Sequence, residues 1–290
     1  MAFEHIEAFL RPTSIPEAVR VLRREGRRAR VVAGGTGAAL RENRTIRTLV
    51  DVSRLGLQYI RRKGGGWAIG AATTMCALEE SRQIREFASG ILAAAAASCG
   101  SVQNRNMITL GGSLANAWAA GDTATPLLAL DASIVVANSR GRCRVPLAEF
   151  FLDPNCVILN GALLVEIAIP APPRGGRRGW SFQKLGRTES DISIVNCAAG
   201  LQVDRAGKCA WARIALGAVE PTPLRARQAE AALIGQTLSA DSIAAACDAL
   251  MQEIQPIADF RASAEYRREM SAVMARRALR ECAERAGCPL

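Results

Sequence analysis

The chain has 290 residues, 49% of them apolar and 22% charged, which is enough to bury a substantial core and argues against intrinsic disorder. Only 4% of the residues are aromatic, so few rings are available to stack on nucleic-acid bases. The formal charge of +10 is scattered in short arginine clusters with no base-reading module beside them, so we expect solvated faces and protein contacts rather than nucleic acid.

In chain order, Met1 to Leu10 is acidic in part and has no long apolar stretch, so it does not read as a secretory signal. Ser14-Ile15-Pro16-Glu17 is a capping box that opens a short helix buried through Ala18, Val19 and Leu22 and ending before Gly26. Arg30-Val31-Val32-Ala33 reads as a strand running straight into Gly34-Gly35-Thr36-Gly37, and Thr48 to Val52 as a second strand. A third strand covers Trp67 to Ala71, and a helix runs from about Gly90 to Cys99, stopping at Gly100. Ser101 to Asp122 is rich in Asn, Gly and Ser and reads as a long structured loop. A helix over Thr125 to Leu130 and strands over Ser133 to Ala137 and Leu163 to Ile169 follow.

Pro170 to Gly176 is the clearest linker, and it divides the chain near residue 175. Beyond it, strands near Ser181–Leu185, Val195–Val203 and Trp211–Ala218 form an antiparallel meander. Two helices, about Asp241–Ile254 and Ser263–Ala286, close the chain. The last carries an apolar stripe of Tyr266, Met270, Val273 and Leu279, with arginines on its other faces. No apolar run is long enough to cross a bilayer, so we expect a cytoplasmic protein without a membrane span.

Nine cysteines contain no C-x-x-C pair and are odd in number, which favours free thiols over a metal or disulfide framework. His5 is the only histidine, and no nucleophile–base arrangement or paired carboxylates stand out, so no catalytic side chains and no metal ligands are assigned.

Two segments carry chemistry. In Val31-Val32-Ala33-Gly34-Gly35-Thr36-Gly37, glycines let backbone N–H groups converge on an anion, a diphosphate being the natural guest; a plain tight turn is the competing reading. The segment lacks both the G-x-G-x-x-G and the Walker spacing, which argues against a nucleotide kinase or ATPase. The second is Asn104 to Asn116, where Asn106, Thr109, Leu110, Gly111, Gly112 and Ser113 again permit close approach, followed by Asp122 as an acceptor for sugar hydroxyls. A loop satisfying its own backbone is the alternative there. Two such segments together favour a large dinucleotide. A bulky residue at Gly34 or Gly111 is expected to occupy cofactor space and abolish its retention.

The whole pattern resembles the FAD-binding subunit of the xanthine dehydrogenase and carbon monoxide dehydrogenase group of molybdenum hydroxylases. FEHIEAFLRPTSIPEAVRVL, VVAGGTG, TLVDVSRL, WAIGAATTMCALE, the long SVQNRNMITLGGSLANAWAAGDTATPLLALDASIVV, FQKLGRTESDISIVNCAAGL, IALGAVEPTPLRARQAE and FRASAEYRREM carry it in order along nearly the whole chain.

The resemblance implies an α+β architecture. A PCMH-type FAD-binding fold would occupy residues 1–175, with subdomains of about 1–60 and 61–175, before a small C-terminal α+β domain over 176–290. It implies that Arg30 to Gly37 wrap the FAD diphosphate, that Asn106 and Thr109 to Ser113 form a second wall, and that Asp122 takes a ribityl or ribose hydroxyl. Leu164 would lie by the adenine and Lys184 close to the flavin. Relatives often carry Asp or Ser where Gly37 stands, so one side-chain contact is missing here. The branch with an extra iron–sulfur insertion is excluded by the lack of a cysteine cluster.

The implied role is electron transfer. Electrons would pass from a molybdenum cofactor in a large subunit through two [2Fe–2S] clusters in a small subunit to FAD, and on to NAD or another acceptor. The assembly would be a dimer of heterotrimers. A stand-alone flavin oxidase or reductase and a non-catalytic basic module are the alternatives.

Overall fold

A computed structural model describes residues 5–37, 44–153, 156–157, 159, 161–288 and 290; the first four residues of the N-terminal stretch lie outside it. Three sheets follow one another along the chain. The first is parallel, order β1-β3-β2, from β1 (Ala8–Leu10), β2 (Ala29–Val32) and β3 (Thr48–Asp51). Helix α1 (Ile15–Glu25) links β1 to β2. The Ser14 hydroxyl accepts from the Glu17 N–H as expected, while the Glu17 carboxylate reaches one residue further back, to the Thr13 N–H at 2.9 Å. Gly26, at φ +55°, ends the helix. Because the sheet is parallel, β1, β2 and β3 end at one edge, where ligands gather in open α/β sheets.

The second sheet has order β4-β5-β10-β6-β7 and is antiparallel throughout. It comprises β4 (Ile60–Lys63), β5 (Gly66–Gly70), β6 (Ser133–Asn138), β7 (Gly141–Pro146) and β10 (Leu163–Ile169); a small pair, β8 (Phe151–Asp153) and β9 (Cys156–Val157), lies between. One face (Trp67, Ile69, Ile134, Val136, Leu164, Ile167) is buried with a layer of helices, α2 (Met75–Glu80), α3 (Arg82–Glu86), α4 (Ile91–Ala97), α6 (Leu110–Ala115), α7 (Ala124–Ala129) and α8 (Leu147–Phe150), while α5 (Val102–Met107) buries no residue and packs on α2. The other face receives α1, whose Ala18, Val19 and Leu22 pack with Val50 of β3 and with Leu163 and Val165 of β10. The first two sheets therefore share a core.

Two short helices replace the expected loop over 101–122. The Ser101 hydroxyl caps α5 through the Asn104 N–H, and the Thr109 hydroxyl caps α6 through the Gly112 N–H. Each cap satisfies a donor that a helix start otherwise leaves bare, which lets runs of six residues hold a helical turn.

The third sheet is the expected meander, extended by a short strand: β11 (Arg177–Leu185), β12 (Val195–Val203), β13 (Cys209–Gly217) and β14 (Leu224–Arg225). Helices α9 (Arg227–Leu233), α10 (Ala240–Glu253) and α11 (Ala264–Arg285) close it. The orientation of α11 differs from the expected stripe. Leu279 is buried, but Tyr266 is exposed, and the helix turns Met274, Ala275, Ala278, Cys282 and Ala283 inward. Small residues let it lie on the strands: a Cβ at Gly179 of β11 would overlap the Cys282 carbonyl. Arg267 is buried rather than surface-facing, donating to the Ile194 carbonyl at 2.5 Å and pairing with Asp259 at 2.7 Å. Among the described residues no helix is long and apolar enough to cross a membrane, and no cluster of metal-ligating side chains occurs.

Candidate functional site

The first glycine segment leaves β2 at the C-terminal edge of the parallel sheet. Arg30, Val31 and Val32 form the strand, and burial lowers the Arg30 pKa from its ordinary value. Gly34 meets a neighbour at once, since a Cβ there would overlap the carbonyl oxygen of Met107, at the end of α5. Gly37 likewise abuts the Asn116 amide just beyond α6. Segments more than seventy residues apart in sequence are thus in direct contact.

Gly35 is different. Its φ is +77°, a conformation that suits glycine, and nothing lies within 4 Å of where a Cβ would stand. Among the described residues the N–H groups of Ala33, Gly34 and Gly35 donate to no protein acceptor. Thr36 and Gly37 continue the segment half-buried. Unengaged amides around a left-handed glycine form the kind of concavity that takes a phosphate oxygen.

The second segment has the same residue types and another backbone state. Leu110 N–H donates to Thr73 O at 2.9 Å, Gly111 N–H to Ala71 O at 2.8 Å, Gly112 N–H to the Thr109 hydroxyl at 3.2 Å and Ser113 N–H to Thr109 O at 2.9 Å. Gly111 is glycine because a Cβ would lie 2.7 Å from both the Cβ and the carbonyl oxygen of Ala71. A side chain at Gly34 or Gly111 therefore strikes protein backbone before it could fill cofactor space, which corrects the physical reason given above. Thr109 and Leu110 are buried, Gly112 and Ser113 half-buried, and the exposed Asn106 amide donates to Val102 O at 3.0 Å.

Asp122 and Lys184 are brought together. The Lys184 ammonium donates to Asp122 Oδ2 at 2.8 Å and to Ser98 O at 2.7 Å. Asp122 Oδ1 accepts from the Ser193 hydroxyl at 2.5 Å and from Asn196 Nδ2 at 3.1 Å, and Asn196 Oδ1 accepts from the Thr125 hydroxyl at 2.9 Å. Burial raises the Asp122 pKa, with Lys184, Ser193 and Asn196 opposing it. Burial and the Asp122 charge also push the nearby Cys99 thiol up to about 12. Ser98, Thr125, Ser193 and Asn196 were not singled out from the sequence. A polar Asn196 inside β12, a strand buried along its length, was the available signal.

Leu164 lies in the core of the second sheet beside a β-bulge, away from solvent. The Thr123 hydroxyl, next to Asp122, is fully buried and has no hydrogen-bond partner among the described residues. Among the described residues, amides at Ala33–Gly35 without an acceptor, open space at Gly35 and this orphaned hydroxyl all suit a large polar cofactor carrying a diphosphate.

Comparison with known proteins gives the same direction. Residues 2–172 match the family described as the FAD binding domain in molybdopterin dehydrogenase, and residues 180–282 match the CO dehydrogenase flavoprotein C-terminal domain. The chain is 37% identical over 278 residues to the 6-hydroxypseudooxynicotine dehydrogenase complex subunit alpha of Paenarthrobacter nicotinovorans, covering 94% of this chain and 93% of that one. It is 30% identical to the xanthine dehydrogenase FAD-binding subunit of Escherichia coli O157:H7, with 97% of each chain covered. A solved carbon monoxide dehydrogenase from Hydrogenophaga pseudoflava, lacking the Mo-pyranopterin moiety of its cofactor, superposes with a TM-score of 0.90 at 33% identity, over 97% of this chain and 98% of that one.

Proposed function

The chain belongs to the family of FAD-binding medium subunits of the xanthine dehydrogenase and carbon monoxide dehydrogenase type, and from that premise we propose that it is the electron-relay subunit of a molybdenum hydroxylase. It is a flavoprotein component of an oxidoreductase. The chemistry that FAD supplies when bound is the relay of electrons from [2Fe–2S] clusters of a small partner subunit, fed by a molybdenum cofactor in a large one, to NAD or another acceptor.

The chain's own residues bind and orient. Ala33, Gly34 and Gly35 offer backbone N–H groups to the diphosphate, with Arg30 to Val32 setting the loop at the sheet edge and Thr36 and Gly37 continuing it. Thr109 to Ser113, with Asn106 nearby, form a wall held rigid by its own hydrogen bonds. Lys184 is fixed by Asp122 and Ser98, so its charge stands at a set position beside the cofactor, and Asp122 retains one lone-pair direction for a hydroxyl. Leu164 supports the adenine side from the core. We divide the chain into a FAD-binding unit over 1–175, in parts of about 1–60 and 61–175, and a C-terminal domain over 176–290. The assembly is a dimer of heterotrimers in the cytoplasm.

The observation that carries this reading is the contact between the two glycine segments, beside which the amides of Ala33–Gly35 meet no protein acceptor among the described residues. The test is to purify the chain alone. One extractable FAD per chain, a flavin spectrum and no turnover of organic substrate are expected. A colourless protein that FAD does not reconstitute, or substrate turnover without partners, contradicts the reading.

A further inference from the structure

The second sheet has a region that neither the glycine segments nor its helices use. Strand registers place Arg61 and Lys63 of β4, Ala68 of β5, Glu166 and Ala168 of β10, Ser133 and Val135 of β6, and Arg142 and Arg144 of β7 on one side. Helix α1 and the core beneath it cover that side from its Ala137–Leu163 end as far as Val135 and Val165. The remainder has a floor of small, buried residues, Ala68 and Ala168, rimmed by Arg61 and Lys63 of β4 and by Arg144 of β7, while Arg142 stands opposite Ala137 at the covered end. Arg61, Lys63, Arg142 and Arg144 are all exposed.

One carboxylate stands among these residues, and it is already engaged. Glu166 is buried, accepting from the Tyr59 hydroxyl at 2.9 Å and from Lys63 at 3.2 Å. The Arg61 guanidinium stacks 4.4 Å from the centre of the Tyr59 ring, and the charge of Arg142 opposes the rise that burial and Glu166 impose on the pKa of that phenol. Four cations against one carboxylate leave the face strongly positive.

Among the described residues the rim at β7 is also a free edge. β7 is the last strand of its sheet, and only Val145 is partly shielded along its length. An edge strand presents unpaired backbone groups, and cationic side chains guard it against pairing with its own kind. A second copy of this chain, at +10, is repelled from such a face, whereas an acidic surface is drawn to it.

We propose that the Arg61/Lys63–Arg142/Arg144 face is a docking surface for an acidic region of a partner subunit. This rests on the reading of the chain as one component of a multi-subunit dehydrogenase. Attraction across such a face is screened within about 8–10 Å at 0.1–0.15 M salt, so association should weaken as salt rises.

The experiment uses the full FAD-loaded chain and the large and small subunits that co-purify with it, with affinity measured from 0.05 to about 0.5 M salt. Arg142→Glu/Arg144→Glu, with Arg61→Glu as a second variant, should weaken association at least tenfold at low salt and flatten the salt dependence, with FAD content unchanged. An equal charge change on α11, Arg277→Glu/Arg280→Glu, should leave affinity within twofold. A complex that forms equally well with the sheet variants overturns the proposal while leaving the subunit reading intact. A wild-type chain that captures no partner overturns both. Retention on double-stranded DNA in place of the subunits would assign the face to nucleic acid and overturn the proposal.

Discussion

At Ala33–Gly35 the backbone N–H groups find no protein acceptor among the described residues, whereas at Leu110–Ser113 each is taken up by Thr73, Ala71 or Thr109. Both segments are read from sequence as glycine turns open to a ligand, yet their glycines answer to different constraints. Gly34 and Gly111 are small because neighbouring backbone presses on them, and Gly35 is glycine because its φ is +77°. A rigid wall with engaged amides can position a cofactor, and a loop with unengaged amides can bind its charge. The two jobs lie on opposite sides of one contact.

The largest effect should come from breaking that contact. Gly34→Leu drives a side chain into the Met107 carbonyl, and we expect a cost of about 3 kcal/mol or more together with loss of FAD. Thermal melts alongside FAD content would check it, and a variant with full flavin and an unchanged melt would break the comparison. Gly111→Val should cost about 2 kcal/mol through Ala71, with the apo and FAD-loaded forms lowered alike. A selective loss of FAD affinity there would instead mean that the second segment touches the charge directly.

Thr109→Ala removes the cap of α6 and should cost about 1 kcal/mol, which Thr109→Ser largely restores. Just before α11, hydrogen bonds from Arg261 and Arg267 hold the Asp259 carboxyl well below its ordinary range, although burial alone would raise it. Its stabilising contribution is complete above the unfolded pKa and is lost as pH falls towards the folded one. The stability gap between wild type and Asp259→Asn should therefore shrink from about pH 5 to pH 3, with FAD affinity at neutral pH the same in both. A gap that widens on acidification would contradict that sign.

Much of the fold is legible because its strands carry long apolar stretches interrupted only by single polar residues such as Glu166 and Asn196. Leu163 to Ile169 and Val195 to Val203 are buried along their length and needed no tertiary information. The short helices α5 and α6 were hidden because six residues give no periodicity, and only their Ser101 and Thr109 caps announce them. The face of α11 was misjudged because an alanine and cysteine stripe looks weakly apolar in sequence, yet it lets the helix settle against Gly179. Asp122 and Lys184 could be picked out singly. Their direct pairing, with Ser193 and Asn196 also donating to Asp122, depends on the C-terminal sheet lying against α7, which no local pattern encodes.

The most direct test of the amide cradle compares FAD with riboflavin, which lacks the diphosphate, on apo-protein of wild type and Gly35→Ala. Titrated by flavin fluorescence, the wild type should bind FAD far more tightly than riboflavin. The variant, strained by about 1 kcal/mol at its left-handed residue, should lose at least tenfold in FAD affinity with riboflavin affinity unchanged. Equal FAD affinity in the two proteins, or a parallel loss for both ligands, would contradict a diphosphate held at Ala33–Gly35.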